Sequence, residues 1–381
     1  MRLLLSCTEL GLGHVSRLIP LGKKLAQRGH ELHFFSGGTA YELLRNEFAN
    51  VYPCRPVAWY ENAHGVAASA SFLNILVPLP RYNYENKQME IKSPSAAETV
   101  HRYYDLRRHI LKIKPDLLIS DGDMHALRLA KKWKIKAVYV TNIIRPSYQF
   151  SPLLTPGERV TERYVKRCER IIVPDIPKHT VCEYNLGDLA DMGITDKVKF
   201  VGSFTEMTKQ KKAEASEEKH VFASISGPLG TRAKLANMIA PVFSQVSSKC
   251  VVSLGQPGTR VVKRLGNCEI HNWLTGEERN LMMKNAETVV FSGSHGTCFE
   301  VIKHMKPSVC IPTQPEQMAY ARKLEELKCS KMVTNGHALK SALMEIEEKR
   351  ESFKAHLRKL NDYSSQFNGL DNAVKVIESI T

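Results

Sequence analysis

The sequence predicts an α/β protein of two doubly wound, Rossmann-like domains, each a parallel sheet wrapped by helices, and three observations lead there. Runs of four to six apolar residues without alternation recur along the chain, as strands buried on both faces require. Amphipathic helical stretches separate those runs. The alternation stops in one charged segment and then restarts, dividing the 381 residues into two units of similar size, each long enough for its own core.

In the first unit "RLLLSC" leads to a helix over about 16–28, and "ELHFFS" to a helix near 39–47. "DLLISD" leads to 124–133, followed by the strands "KAVYVT" and "RIIVPD". The segment "SFTEMTKQKKAEASEEKH" holds almost nothing that fills a core and reads as a linker. After it come "HVFASISGPLG", a helix over 231–247, "KCVVSLG", a helix near 258–264, "CEIHNW" and a helix near 275–285. "TVVFSGS", a helix near 297–304, "PSVCIP" and a helix near 316–327 complete the pattern. The stretch 337–380 reads as two helices, the final one after "FNGLDN" returning to the first domain. The expected boundaries are 1–204, a linker at 205–219, 220–365, and a returning helix at 366–381.

Nine cysteines form no CxxC pair and several sit in apolar runs, which argues for a reducing compartment and against a disulfide framework or a zinc site. The opening "MRLLLSC" is too short for a secretory signal, and no apolar run approaches the ~20 residues of a membrane span. A cytoplasmic protein is expected. The net charge of +15 suits nucleic acid, anionic lipid or phosphorylated ligands alike. Without zinc-finger spacing or an aromatic ribonucleoprotein-type strand, nucleic acid is not expected as a partner.

In an open α/β sheet, ligands bind at the carboxyl ends of strands, so the informative residues belong in strand-to-helix loops. The turn "GLGHVSR" places Gly13 and His14 after the first strand. A dinucleotide fingerprint needs an acid about 20 residues later, at the end of the second strand, where this chain has Ser36. The loop "SGPLGTR" offers Gly227, Thr231 and Arg232 to an anion at a helix start. In "FSGSHGTCFEV", Thr297 and Glu300 either cap the following helix or hold a diphosphate and ribose hydroxyls.

The stretch "FSGSHGTCFEVIKHMKPSVCIPTQPEQMAYA" resembles the donor-binding signature of the GT-B glycosyltransferases. It is most similar to that of the UDP-glycosyltransferases and the bacterial lipid II-forming N-acetylglucosaminyltransferase, with archaeal-type relatives. Together with 11–17 and 226–232, the resemblance spans most of the chain and implies the two domains face a cleft. It implies that Ser294, Gly296 and Thr297 line a diphosphate, that Glu300 binds ribose, and that Glu316 and Gln317 contact the donor sugar. "EIHNWL" matches the segment whose backbone reads the nucleobase, with His271 and Trp273 in it. Plant-type members carry a histidine where this chain has Ser292; His295, three residues later, is a candidate phosphate contact, and Gly13 joins the donor-facing set.

The same family carries a histidine in its first turn, matched by His14. An imidazole, with its ordinary pKa near ~6.5, suits proton removal from an attacking hydroxyl. Asp121 matches the aspartate of the family's dyad and would orient it, with Asp123 as substitute and helix capping as the alternative role.

Residues 66–92 combine Phe72 and Leu76 with Arg81, and 101–115 adds Arg102, Arg107 and Arg108. A buried helix or a solvated surface is one reading. The other is a lip for an amphiphilic acceptor or an anionic membrane face. The expected function is inverting, metal-independent transfer of a sugar from a nucleotide sugar, UDP-linked, to a lipid-linked or amphiphilic acceptor, with no cofactor beyond the donor substrate. The alternatives are a nucleotide-sugar epimerase of the same fold and a non-catalytic protein that binds a nucleotide or anion.

Overall fold

The fold comes from a computed structural model that describes residues 1–9, 12–55, 60–62, 65–66, 70, 73–83, 88–148, 155–205, 219–227, 229–246, 248–256 and 260–380. The first unit runs β1 (Arg2–Cys7), α1 (Leu12–Gln27), β2 (Glu31–Ser36), α2 (Gly38–Arg45), β3 (Val51–Pro53), β4 (Glu61–Asn62), β5 (Gly65–Val66), β6 (Leu79–Asn83), β7 (Gln88–Lys92) and α3 (Ser95–Ile113). It continues with β8 (Leu117–Asp121), α4 (Met124–Trp133), β9 (Lys136–Val140), α5 (Thr155–Val165), β10 (Arg170–Val173), α6 (Glu183–Leu186) and β11 (Val198–Phe200). The second unit runs β12 (His220–Ser224), α7 (Leu229–Phe243), β13 (Lys249–Ser253), β14 (Val262–Leu265), β15 (Cys268–His271), α8 (Gly276–Asn285) and β16 (Ala286–Phe291). Then come α9 (His295–Lys303), β17 (Ser308–Cys310), α10 (Pro315–Glu326), β18 (Ser330–Met332), α11 (Gly336–Glu348), α12 (Arg350–Ser364) and α13 (Gly369–Glu378).

Two separate seven-stranded sheets result, ordered β11-β10-β9-β8-β1-β2-β3 and β14-β15-β13-β12-β16-β17-β18. The first is parallel throughout, and the second is parallel except for β14. The unalternated runs are buried as a doubly covered parallel sheet demands: Leu3, Leu4, Leu5, Leu117, Leu118 and Ile119 are sealed from solvent. Chain order reverses between β1 and β8 in one sheet and between β12 and β16 in the other. Switch points of this kind are where open α/β sheets bind ligands. Here they carry His14 in the first turn of α1, which starts four residues earlier than predicted, Asp121 at the end of β8, and the loops with Ser226 and Ser292.

One buried cluster links the units, running from Leu4 and Leu118 through Ile176, Val181 and Cys182 to Phe299, Tyr320 and Leu324. A second sets Leu3, Leu5 and Leu18 against Ala373, Val374 and Ile377, so α13 packs on the first sheet. There is no room for a side chain at its first residue, since a Cβ on Gly369 would stand 2.1 Å from the Ser203 carbonyl oxygen.

Several expectations are corrected. The region predicted as a helix near 258–264 instead holds β14, antiparallel to β15 through a tight turn in which Gly266 takes φ +56. Two helices were expected over 337–380 and three form. Helix α9 begins at His295, two residues earlier than predicted, and among the described residues of 66–92 the longest elements are β6 and β7, paired antiparallel. Most of the linker at 205–219 lies outside the described residues.

Candidate active site

The first group of side chains gathers at the β1/β8 switch point. Strand β8 ends on Asp121, directly beside Cys7 of β1, and α1 lifts His14 over the same spot. His14 Nδ1 lies 2.7 Å from Asp121 Oδ1, with the carboxylate sealed from solvent and the imidazole 24% exposed. Nδ1 faces the carboxylate at the shorter distance, with Arg17 Nη2 3.2 Å from the same nitrogen, and in the tautomer that donates to Asp121 the Nε2 atom is the acceptor. Arg17, one turn further along α1, also reaches Asp121, with Nη2 2.6 Å from Oδ1 and Nε 3.1 Å from Oδ2. Burial alone raises the Asp121 carboxyl, but the Arg17 charge and the hydrogen bonds from His14 and Arg17 reverse this and hold it below the ordinary carboxylate range.

Gly122 makes the geometry feasible. At φ +73 it lies against the imidazole, and a Cβ there would stand 2.7 Å from His14 Cε1. Asp123 is the helix cap: its side chain accepts from the amides of His125 and Ala126 and pairs with Arg102 Nη2 at 2.9 Å. Arg102, read from the sequence as part of a basic surface, is buried and joins Glu9 at 2.7 Å. Asp121 is therefore the carboxylate on the histidine, and Asp123 braces the wall behind it.

The second group sits at the β12/β16 switch point, where Ser292 Oγ accepts from the Ser226 amide at 2.9 Å and fastens the two loops. Gly227 takes φ +113, Thr231 is buried, and Arg232 donates to the carbonyls of Gly227 at 2.5 Å and Gly255 at 2.6 Å. Expected as an anion contact, Arg232 is a brace between loops. Gly13 and Gly296 are exposed with no neighbour crowding them, and Ser294, the N-cap of α9, donates to Thr297 Oγ1 at 2.8 Å.

Glu300 does not cap α9, which begins five residues before it. It receives a fork from Arg279 of α8, Nη1 to Oε1 and Nη2 to Oε2 at 2.6 Å each. Arg279 also donates to Thr297 Oγ1 at 3.2 Å and from Nε to Ser224 Oγ at 3.1 Å. A carboxylate offers about four lone-pair positions, so Glu300 keeps acceptor capacity beyond this fork. Sequence reasoning missed Arg279.

His295, offered by the sequence as a phosphate contact, has its ring buried between Phe299 and Tyr320, with Nε2 3.1 Å from Asp175 Oδ2 in the first unit. Gln317 is buried and accepts from the amide and hydroxyl of Thr313 at 2.9 Å. Burial raises the Glu316 carboxyl above its ordinary range, with its own backbone amide pulling part of that back. His271 closes β15 beside Glu269, and its carbonyl accepts from the Leu254 amide at 2.9 Å, so that backbone edge is partly committed. Trp273 is half-buried just beyond.

On the lip, Phe72 lies outside the described residues, and Arg81 is placed only as part of β6. Leu76 is 78% exposed, and Met89 and Ile91 on β7 and Val100 and Tyr104 on α3 are exposed as well. The Ser95 amide on the Asn74 carbonyl (2.9 Å) and Asn74 Nδ2 on the Lys92 carbonyl (3.3 Å) knit these pieces together. Arg107 lies over the Trp133 ring at 6.0 Å, and Arg108 points into solvent beside Asp105. No helix among the described residues is long and apolar enough to cross a membrane.

No protein-family model matches the chain. Over 98% of its length it is 22% identical to an uncharacterized glycosyltransferase of Methanosarcina acetivorans, of which it covers 96%. Its fold is similar to that of the spinosyn rhamnosyltransferase SpnG complexed with thymidine diphosphate, with TM-score 0.69, 14% identity, and 99% and 100% of the two chains covered. It is also similar to MurG of Acinetobacter baumannii, with TM-score 0.63, 13% identity and 99% of each chain covered. The chain has the GT-B fold, and the curated proteins it resembles from end to end are glycosyltransferases.

Proposed function

We propose that the protein is a glycosyltransferase moving a sugar, with inversion and without a metal ion, from a nucleotide sugar to a hydroxyl or phosphate oxygen of an amphiphilic, lipid-linked acceptor. The observation that carries this reading is the His14–Asp121 pair: an imidazole about a quarter exposed, held by a buried carboxylate, with Nε2 left to take a proton. As the acceptor oxygen attacks the anomeric carbon, its proton passes to Nε2, and Asp121 stabilises the imidazolium. The bond to the leaving diphosphate breaks on the opposite face of the sugar, which inverts that carbon.

The leaving charge falls to the first-turn amides of α9 with Ser294 and Thr297, a helix terminus that does the work of a cation. Glu300 and Thr297, held by Arg279, suit ribose and phosphate oxygens; Glu316 and Gln317 suit sugar hydroxyls. We read the donor as UDP-linked. The exposed apolar residues Leu76, Met89 and Ile91, with the exposed Arg108 on α3, suit an acyl or polyprenyl chain and an anionic membrane face.

The test is incubation with UDP-, TDP- and GDP-sugars and an amphiphilic acceptor, scoring free nucleoside diphosphate and the anomeric configuration of the product. Transfer that inverts, persists in excess EDTA and fails in His14→Ala is the expected result. An isomerised sugar without transfer supports an epimerase, and binding without turnover supports a non-catalytic nucleotide-binding protein.

A further inference from the structure

Several polar contacts between the two units fall on one short segment, alongside others such as Arg322 Nη1 on Tyr148 Oη at 2.9 Å and the packing of α7 against β4 and β5. The turn after β10 and the α6 segment, residues 175–186, belong to the first unit: the amides of Ile144 and Arg145 donate to the Asn185 carbonyl at 2.8 and 3.2 Å, and that of Ser147 to the Tyr184 carbonyl at 2.8 Å. Its side chains reach the other way. Asp175 takes His295, the first helical residue of α9. Asn185 Nδ2 donates to the Glu316 carbonyl at 3.0 Å, in the first turn of α10. Tyr184 donates to the Glu326 carboxylate, and its ring lies under Arg322 and Lys323 further along α10.

Asp175 is itself immovable. Oδ1 accepts from the amides of Ile176 (2.7 Å) and Val181 (3.2 Å), and Oδ2 from Cys182 (2.8 Å) as well as from His295. Asp175, Cys182 and His295 bring potential metal-ligand atoms within 4.8 Å of one another. In this arrangement the carboxylate is already taken up by three backbone amides and the His295 ring, and burial raises the Cys182 thiol well above its ordinary range.

We propose that Asp175 and Asn185 are positioning residues through which the first unit sets the first turns of both donor helices, so that nucleotide affinity depends on a segment that touches no nucleotide. The inference rests on the donor reading given above. A helix terminus recognises an anion through amides whose placement must hold to a fraction of an ångström. The first turn of α9 has no side-chain cap, and the buried His295–Asp175 bond is the one that clamps its first residue to the other unit. The ring nitrogen on the carboxylate must carry a proton, so an amide group can replace it and a phenyl ring cannot.

The experiment compares His295→Phe, His295→Gln and Asn185→Ala in the full chain. Affinity is read by calorimetry with UDP, TDP and GDP, and amide exchange of residues 295–303 is read without ligand. His295→Phe is expected to weaken the tightest nucleotide roughly tenfold and to speed exchange in α9 but not in α11. His295→Gln restores most of both, and Asn185→Ala weakens binding by a smaller factor. Wild-type affinity in His295→Phe and Asn185→Ala, with exchange in α9 unchanged, overturns the proposal. A wild-type protein that binds none of the three nucleotides overturns the donor reading, and this one with it.

Discussion

Removing Glu300 strips both carboxylate bonds from Arg279 and leaves its guanidinium only the hydroxyls of Ser224 and Thr297. The two side chains are 26% and 27% exposed. Breaking a fully buried ion pair costs about 3–5 kcal/mol, and an exposed pair contributes at most about 1 kcal/mol. A fork a quarter open to water falls between, at about 2 kcal/mol.

Urea unfolding of Glu300→Ala, Arg279→Met and the double variant should therefore show a coupling of about 2 kcal/mol, the double variant losing far less than the sum. Donor affinity separates bracing from binding. Glu300→Gln keeps the shape but loses the charged acceptor, about 1.5–3 kcal/mol for ribose hydroxyls, so UDP should bind about 10–100-fold more weakly. Coupling under about 0.5 kcal/mol would reduce the fork to an ordinary surface pair. Unchanged UDP affinity in Glu300→Gln would remove the ribose contact while leaving the brace intact.

Three further outcomes follow from the same geometry. General base catalysis is typically worth 10²–10⁴-fold, so steady-state kinetics of His14→Ala should show kcat lowered by about that factor with UDP binding nearly intact. Asp121→Asn should cost less, and the double variant should be little worse than His14→Ala alone. Gly122→Ala forces a Cβ into the imidazole at a positive φ, so it should lose about 1–2 kcal/mol of stability and displace the base, lowering kcat without moving nucleotide affinity. Burial, with Lys303 nearby, lowers His304 to about 4, while the unfolded residue titrates near ~6.5. The unfolded chain then binds the extra proton between those values, so stability rises with pH across that window and is lost as pH falls. The urea midpoint should correspond to about 1–2 kcal/mol less at pH 5 than at pH 7, a difference that His304→Gln flattens.

How much of this was legible in the sequence depends on the range of the interaction. Strands of each sheet announce themselves because a parallel strand covered on both faces must be an unbroken apolar run, as in "RLLLSC" and "TVVFSGS". The edge strand β14 has no such run. Its four residues are all exposed, and its pattern is indistinguishable from a short polar helix. His14 and Asp121 were found as a pair through family resemblance, because 107 residues separate them. Arg17 was missed although it stands three residues after His14 on one helix, a spacing that puts both on one face and is the signal that could have found it. Arg279 and Arg102 had no local signal. Arg102 reads as a surface base and Arg279 goes unremarked on a short polar helix, and only tertiary packing brings their carboxylates within reach. The buried placement of the His295 ring was illegible for a related reason: a small-residue loop says that something lies near, not which way a ring turns.

The return of α13 to the first sheet bears on how the protein is made. Domains generally complete themselves in order as the chain leaves the ribosome, at about 5–20 residues per second. Here the face of the first sheet around Leu3, Leu5 and Leu18 needs Ala373, Val374 and Ile377 to cover it. The unit that is synthesised first is thus finished only after the whole second unit has emerged, and its apolar face stays open for that interval. A truncation that removes α13 will therefore be felt at the amino-terminal unit, where Ala373, Val374 and Ile377 complete the cluster around Leu3, Leu5 and Leu18.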